Sequence, residues 1–378
     1  MTFTGTLRCR RLDALVADGT LPGYSVAVRN GADVLLAVAG TSEPDGAGRP
    51  VAADTAYRLA SLSKPVAALL TAGLVADGVL VPEDPVGRWL PELDGLAVLR
   101  RPDGPLTDTE DQAVVMTVHH LLTMTSGLGI GTDATPLTRA METAGVHPGP
   151  VGPTLTRAEL LARFAALPLT FQPGAGWAYH SSTEVLGILL ERAAGGLLPD
   201  LVAERVTGPL DAPSVSFDAP PPERRAPALF VEDGTWRPIE PDGPRPDALP
   251  TLAAGLWGAA PDVLRVLDEL VRPATLPVEA VAAARRPALT DVQRESAADF
   301  LPPGYSYGWQ VSVATEDDPQ GPRAGAVGWS GGTGTLGVAD PAADRTSVLL
   351  TNRGLDGPSG AVAFEAFLAD VRDLDGPR

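Results

Sequence analysis

Apolar and polar positions change their spacing several times along this chain. Near the N-terminus Leu12, Leu15 and Val16 recur at helical spacing, which predicts a helix over 10–18 that closes near Gly19. The pattern then becomes extended. Residues 24–29 and 34–39 read as strands, and Asn30-Gly31 between them is a strong hairpin signal. A short extended stretch, 56–59, leads into a run from Pro65 to Asp77 that is apolar nearly all round. A helix with no polar face is a buried helix. Gly78 ends it.

The middle of the chain mixes helices with loops. Residues 84–91 read as a helix start and a turn, and 101–112 as an exposed polar loop. Thr117 caps a short helix stopped at Gly127. Residues 129–155 are rich in Gly, Pro and Thr and read as one long loop, of the kind that forms a lid or pocket wall. Helices are predicted at 156–166, 183–194 and 262–272, and 208–250 reads as irregular and Pro-dense. Strand patterns return at 305–313, 324–329, 335–339 and 347–351, before a last amphipathic helix at 359–373. Strands at both ends with helices between predict an α+β fold. In it, 1–80 and 300–378 build one subdomain around a central antiparallel sheet, 81–299 form a mostly helical subdomain, and the active site lies between them.

Composition narrows the functional classes. The 378 residues suffice for a large core, and a net charge of −18 disfavours nucleic acid and anionic membranes as partners. Cys9 is alone, so neither a disulfide framework nor a cysteine metal site is expected, and no cofactor motif is evident. The N-terminus lacks an apolar core of signal-peptide length and no run of eighteen apolar residues follows, so a cytoplasmic location is expected. The pattern carries no information on oligomeric state.

The chemistry concentrates at Ser61-Leu62-Ser63-Lys64. Ser61 and Lys64 are three residues apart, which puts them on one face of a helix. A serine hydroxyl needs a base to become a nucleophile, and a lysine amine serves only if burial or positive potential lowers its pKa. Pro65 is tolerated in a first helical turn, which places Ser61 at or near the helix start. Lys64 is the only lysine in the chain. Tyr179 lies in a Gly/Pro-rich turn before a helix, where a phenol can be aimed into a cleft and relay protons. His180 beside it reads as a surface residue or a support for the site. Gly328-Trp329-Ser330-Gly331-Gly332 formally matches a nucleophile elbow. An elbow needs a helix right after it and a histidine later in the chain. Here a strand pattern follows, and all four histidines precede Ser330. The stretch reads better as a strand whose glycines admit close approach of a ligand and an N–H donor for an oxyanion.

The three motifs in this order resemble the serine β-lactamase-like superfamily, on the side of class C β-lactamases, DD-peptidases and family VIII carboxylesterases. The resemblance extends over almost the whole chain, including Asp84-Pro85-Val86, His120-Leu121-Leu122-Thr123-Met124-Thr125-Ser126-Gly127-Leu128 and Gln172-Pro173-Gly174. It implies that Ser61 is acylated, that Lys64 and Tyr179 share the general-base and general-acid work, and that the N–H groups of Ser61 and Gly332 form the oxyanion hole. Ser181, Trp329, Ser330 and Gly331 are then the substrate-binding positions. Two positions depart from the family pattern: Ser181 stands where an Asn is usual, and Trp329 where a Lys or His is usual. Tryptophan cannot pair with a substrate carboxylate as a cation does. The expected substrate is therefore a small neutral carboxylic ester. Acyl transfer, amide or D-aminopeptide hydrolysis and β-lactam hydrolysis are alternatives through the same acyl-enzyme, and a non-catalytic binding homologue is the alternative of another class.

Overall fold

Residues 23–30 bury both faces of one strand. Tyr24, Val26 and Val28 pack with Leu12, Leu349 and Phe367, whereas Ala27 packs on the opposite side with Val348 and Leu350. A strand apolar on both faces needs a layer above and a layer below. The computed structural model describes residues 3–44, 46, 48–131, 134–239, 247–355 and 358–375.

The first segment contains β1 (Gly5–Thr6), α1 (Arg10–Ala17), β2 (Gly23–Asn30), β3 (Asp33–Gly40), β4 (Ala56–Arg58), a 3-10 turn (Ala60–Ser63) and α2 (Lys64–Ala76). The middle adds β5 (Ala97–Leu99), β6 (Thr109–Asp111), α3 (Val118–Leu122), α4 (Pro136–Ala144), α5 (Arg157–Ala165), α6 (Ser181–Ala194) and α7 (Leu198–Val202). It continues through β7 (Leu229–Glu232), β8 (Thr235–Pro238), β9 (Trp257–Ala259), α8 (Ala260–Glu269), α9 (Val278–Ala284) and α10 (Asp291–Ser296). The last segment holds β10 (Tyr305–Tyr307), β11 (Ser312–Ala314), β12 (Val327–Gly331), β13 (Thr335–Asp340), β14 (Arg345–Thr351) and α11 (Pro358–Arg372).

Strands from both chain ends form one eight-stranded sheet in the order β1-β3-β2-β14-β13-β12-β11-β10. All its pairs are antiparallel except the short β1–β3 pair. Helices α1 and α11 cover one face; α8 and α2 lie on the other, and α8 touches β2, β13 and β14. Every residue of α2 from Lys64 to Leu74 is buried, as its lack of a polar face requires.

Several local expectations change. The β2–β3 turn is Gly31-Ala32, one residue later than Asn30-Gly31, because Asn30 pairs with Asp33. The helix begun at Thr117 stops at Leu122, and a non-helical turn carries the chain on to Gly127. The 101–112 stretch contributes β6, which pairs with β5. The 129–155 stretch contains α4: Thr135 accepts a hydrogen bond from the Thr138 N–H, Pro136 opens the helix, and Leu137 and Met141 are buried four residues apart. The 208–250 stretch contains the β7–β8 hairpin, turned at Asp233-Gly234; residues 240–246 lie outside the described residues. Residues 305–313 are two strands, not one. Gln310, at φ +56°, reverses the chain between them. Its buried amide donates to the Leu121 carbonyl (2.9 Å) and accepts from the Thr183 hydroxyl (2.6 Å), tying this reversal to α3 and α6.

The start of α1 lacks a side-chain cap of its own. Buried Asp370 of α11 supplies it, accepting from the Arg11 N–H at 3.1 Å, the Leu12 N–H at 3.2 Å and the Arg11 guanidinium at 2.9 Å. Asp370→Ala leaves these donors without that acceptor, and we expect a loss of about 2–3 kcal/mol in urea unfolding; an unchanged midpoint would contradict this role.

Candidate active site

The serine sits on a pinned turn. The Thr335 hydroxyl donates to the Leu59 carbonyl at 2.8 Å and the Thr333 hydroxyl to the Arg58 carbonyl at 2.6 Å, fastening the approach to Ser61 onto β12 and β13. Gly331 makes this contact possible, since a Cβ there would stand 2.2 Å from the Leu59 oxygen. Ala60, just before the nucleophile candidate, is held at φ +46°, a left-handed conformation that non-glycine residues rarely adopt.

Lys64 opens α2 one turn later. Its Nζ lies 2.9 Å from Ser61 Oγ, and it donates to the Ala253 carbonyl at 2.8 Å. The side chain is fully buried. Burial lowers its pKa from 10.5 to about 7, against the opposing pull of Glu184. Unprotonated amine is therefore well populated near neutral pH, which is the property a general base needs.

Tyr179 is aimed by backbone pairing. Its N–H donates to the Ile130 carbonyl at 2.8 Å, and its carbonyl accepts from the Ile130 N–H at 3.2 Å. Gly129 precedes this bridge at φ +133°, and a Cβ there would stand 2.4 Å from the Tyr179 carbonyl. The ring stacks on Phe300 (4.5 Å between centroids) and Trp177 (5.8 Å), and the Lys64 Nζ lies 4.9 Å from its centre. Burial raises the phenol to about 12, while hydrogen bonds with Ser61 and Trp329 act to lower it. The Trp329 indole donates to the Tyr179 oxygen at 3.0 Å. Its one donor is thus directed at the phenol.

Ser61, Tyr179, His180, Trp329, Ser330 and Gly332 all line one cavity of about 460 Å³. Lys64 reaches its floor through Ser61. Gly331 contacts the serine turn, and Ser181 is buried at the start of α6; neither lines this cavity. Part of the expected loop does form a wall, through Ile130, Pro148, Gly149 and Pro150. Phe230, Asp299, Phe300 and Leu355 also line it and were not singled out from sequence. They come from three separate segments, and only the fold brings them together. No Lys or Arg is among the lining residues, and Asp299 is their one carboxylate.

The family model described as Beta-lactamase matches residues 10–369. The chain belongs to the beta-lactamase family. Esterase EstB of Burkholderia gladioli is 34% identical, over 96% of this chain and 91% of its own length. The structure titled EstCE1, a hydrolase with promiscuous acyltransferase activity, has TM-score 0.80 at 24% identity and covers 95% of this chain and 96% of its own. Unliganded selenomethionyl simvastatin synthase (LovD) from Aspergillus terreus also has TM-score 0.80, at 21% identity, covering 97% and 98%. These neighbours share the β-lactamase/transpeptidase-like fold. Among the described residues no helix is long and apolar enough to cross a membrane.

Burying an amine has a stability cost with a definite sign. The unfolded chain holds the lysine proton up to about 10.5, whereas the folded chain releases it near 7. Between these values the unfolded state binds more protons, so this group's contribution to stability improves as pH rises and is most unfavourable below about 7. The stability difference should therefore favour Lys64→Met by roughly 3–4 kcal/mol more at pH 7 than at pH 10. A gap independent of pH would contradict the assignment.

Proposed function

We propose that this protein is a cofactor-free serine hydrolase of the carboxylesterase type, cytoplasmic, acting on small neutral esters through an acyl-Ser61 intermediate. The observation that carries the reading is the buried Lys64 amine 2.9 Å from the Ser61 hydroxyl, on the same cavity as Tyr179. The Ser61 proton passes to the Lys64 amine as Oγ attacks the ester carbonyl. The N–H groups of Ser61 and Gly332 receive the developing oxyanion. The C–O bond to the alcohol breaks, and Tyr179 delivers the proton to the leaving oxygen, recharged from Lys64. Water then repeats the sequence on the acyl-enzyme and frees the acid. In this reading 1–80 with 300–378, and 81–299, are the two subdomains that flank the cleft. Trp329 and Ser330 shape the substrate side, Gly331 lets β12 approach the serine turn, and the Ser181 N–H donates to the Tyr179 carbonyl at 3.1 Å.

The cavity supports neutral substrates. Phe230, Phe300, Trp329, Leu355 and Ile130 form apolar walls, and no lining cation can hold a carboxylate. The similarity to esterase EstB over nearly the full length points the same way. Acyl transfer to an alcohol or amine is a second reading. A neighbouring cavity of about 320 Å³ shares Ile130 and Asp299 with the first and offers room for an acceptor.

Mass spectrometry of the intact protein after a fluorophosphonate tests the assignment. One adduct is expected in the parent and in Ser330→Ala, and none in Ser61→Ala; labelling that survives in Ser61→Ala would refute it. Hydrolysis of a p-nitrophenyl ester should rise with pH through about 7 as the Lys64/Tyr179 pair loses a proton. Lys64→Arg, which keeps the charge, should lose about 1,000-fold or more in kcat/KM; near-full activity would remove Lys64 as the base.

A further inference from the structure

His180 has a stranger backbone than its position between two site residues requires. It sits at φ +80°, ψ −61°, and the Ser181 N–H donates back to the Tyr179 carbonyl at 3.1 Å. That is a classic γ-turn, a rare and strained conformation. The side chain is 4% exposed. Its Nδ1 lies 3.4 Å from Lys64 Nζ, and its Nε2 lies 3.3 Å from the Glu184 carboxyl, one helical turn on. Glu184 is itself buried and accepts from the Thr251 hydroxyl. The Thr251 oxygen accepts from the Ala253 N–H at 3.0 Å, and the Ala253 carbonyl accepts from Lys64. The chain of contacts closes on the amine where it began.

This ring fixes the direction of each proton. The Glu184 carboxylate accepts from Nε2–H of His180, so the neutral imidazole presents a bare Nδ1 to Lys64. A neutral amine has two hydrogens and one lone pair. The Ala253 carbonyl and His180 Nδ1 are two acceptors, and Ser61 Oγ stands on the third side.

We infer that His180, backed by Glu184, is a positioning residue for the reaction: with the Ala253 carbonyl it takes both hydrogens of the neutral Lys64 amine and turns the lone pair onto the Ser61 hydroxyl. The inference rests on the acyl-Ser61 reading above. When the Ser61 proton arrives, the resulting ammonium keeps the same two acceptors and has its third hydrogen towards Oγ, so no group has to move. The strained turn has a function on this account. It places both Tyr179 and His180 on the cavity wall, with the imidazole against the amine.

The titratable groups that face the ring are Lys64 from α2, Tyr179 from the adjoining turn, Glu184 from α6 and His147 from the segment after α4. Burial and the Lys64 charge push His180 down to about 4, so it stays neutral through the working range. The test is the pH profile of Ser61 acylation, read as the p-nitrophenol burst. His180→Leu removes the acceptor; the burst rate should fall about 10–100-fold and its rising limb should move to lower pH by about one unit, because the buried ammonium has lost a partner. His180→Asn puts an amide oxygen near the place of Nδ1 and tolerates positive φ, so it should restore most of the rate and the parental limb. Glu184→Gln keeps the shape of the ring but removes a charge that favours the ammonium, so its limb should also move to lower pH; His180→Ala, which removes the acceptor without adding bulk, decides the matter if His180→Leu does not fold. His147→Gln should leave the limb in place. The inference is overturned if neither His180→Leu nor Glu184→Gln moves the limb, if His180→Asn is as impaired as His180→Leu, or if His147→Gln moves it instead. A parent enzyme that gives no burst and no Ser61 adduct would instead overturn the acyl-enzyme reading itself.

Discussion

Placing one amine inside an apolar helix without a carboxylate in direct contact is the constraint on which this structure depends. In water a lysine near neutral pH is a cation and no base. Lys64 is fully buried, and the loss of hydration brings its pKa down to about 7. A touching carboxylate would undo this, because it favours the charged form. The charge of Glu184 acts from behind His180 and offsets burial only in part. The chain thus keeps a destabilising group in its core, a common trade of stability for reactivity.

The surrounding architecture follows from the need to hold that amine and its serine still. Helix α2 is buried along nearly its whole length, so the residues at its head are set by packing on many sides. Strands β12 and β13 reach across to pin the preceding turn through Thr333 and Thr335. Residues 251–256 approach from the opposite side. There the Leu256 N–H donates to the Ser63 hydroxyl at 3.2 Å, and the Leu59 N–H donates to the Leu256 carbonyl at 2.9 Å. The same segment delivers the Ala253 carbonyl to Lys64. Three distant parts of the chain thus meet at one turn. Two non-glycine residues with positive φ, Ala60 and His180, flank the meeting point, so backbone strain concentrates where the proposed chemistry lies.

Much of this was readable before any coordinates, for identifiable reasons. Ser61 and Lys64 are three residues apart, across the junction of the 3-10 turn and α2, so local spacing carries their meeting. The α2 pattern lacks a polar face and so announces burial, and the extended patterns at 24–29 and 347–351 announce strands of the sheet. What escaped the reading depends on tertiary approach. Phe230 and Phe300 reach the cavity from segments with no local mark of it. From sequence His180 reads as a surface residue or a support for the site, and nothing in Tyr-His-Ser reveals a γ-turn that points its imidazole at a lysine more than a hundred residues away. From sequence Trp329 is only a residue that cannot pair with a substrate carboxylate; in the fold its N–H is directed at Tyr179. Two local signals were present and outweighed. Thr135-Pro136 starts a helix, and Asp233-Gly234 turns a hairpin, but both lie in stretches whose Gly and Pro content read as loop.

The uniqueness of Lys64 offers a direct measurement of the central claim. Protein labelled with lysine carrying 13C at Cε gives a single lysine resonance, because the chain has one lysine. Its chemical shift followed against pH reports the protonation of that amine alone. A midpoint near 7, far below the 10.5 of an ordinary lysine, is the result this account predicts. A resonance that titrates as an ordinary solvated lysine would contradict it, since an amine protonated through the working range could not accept the Ser61 proton.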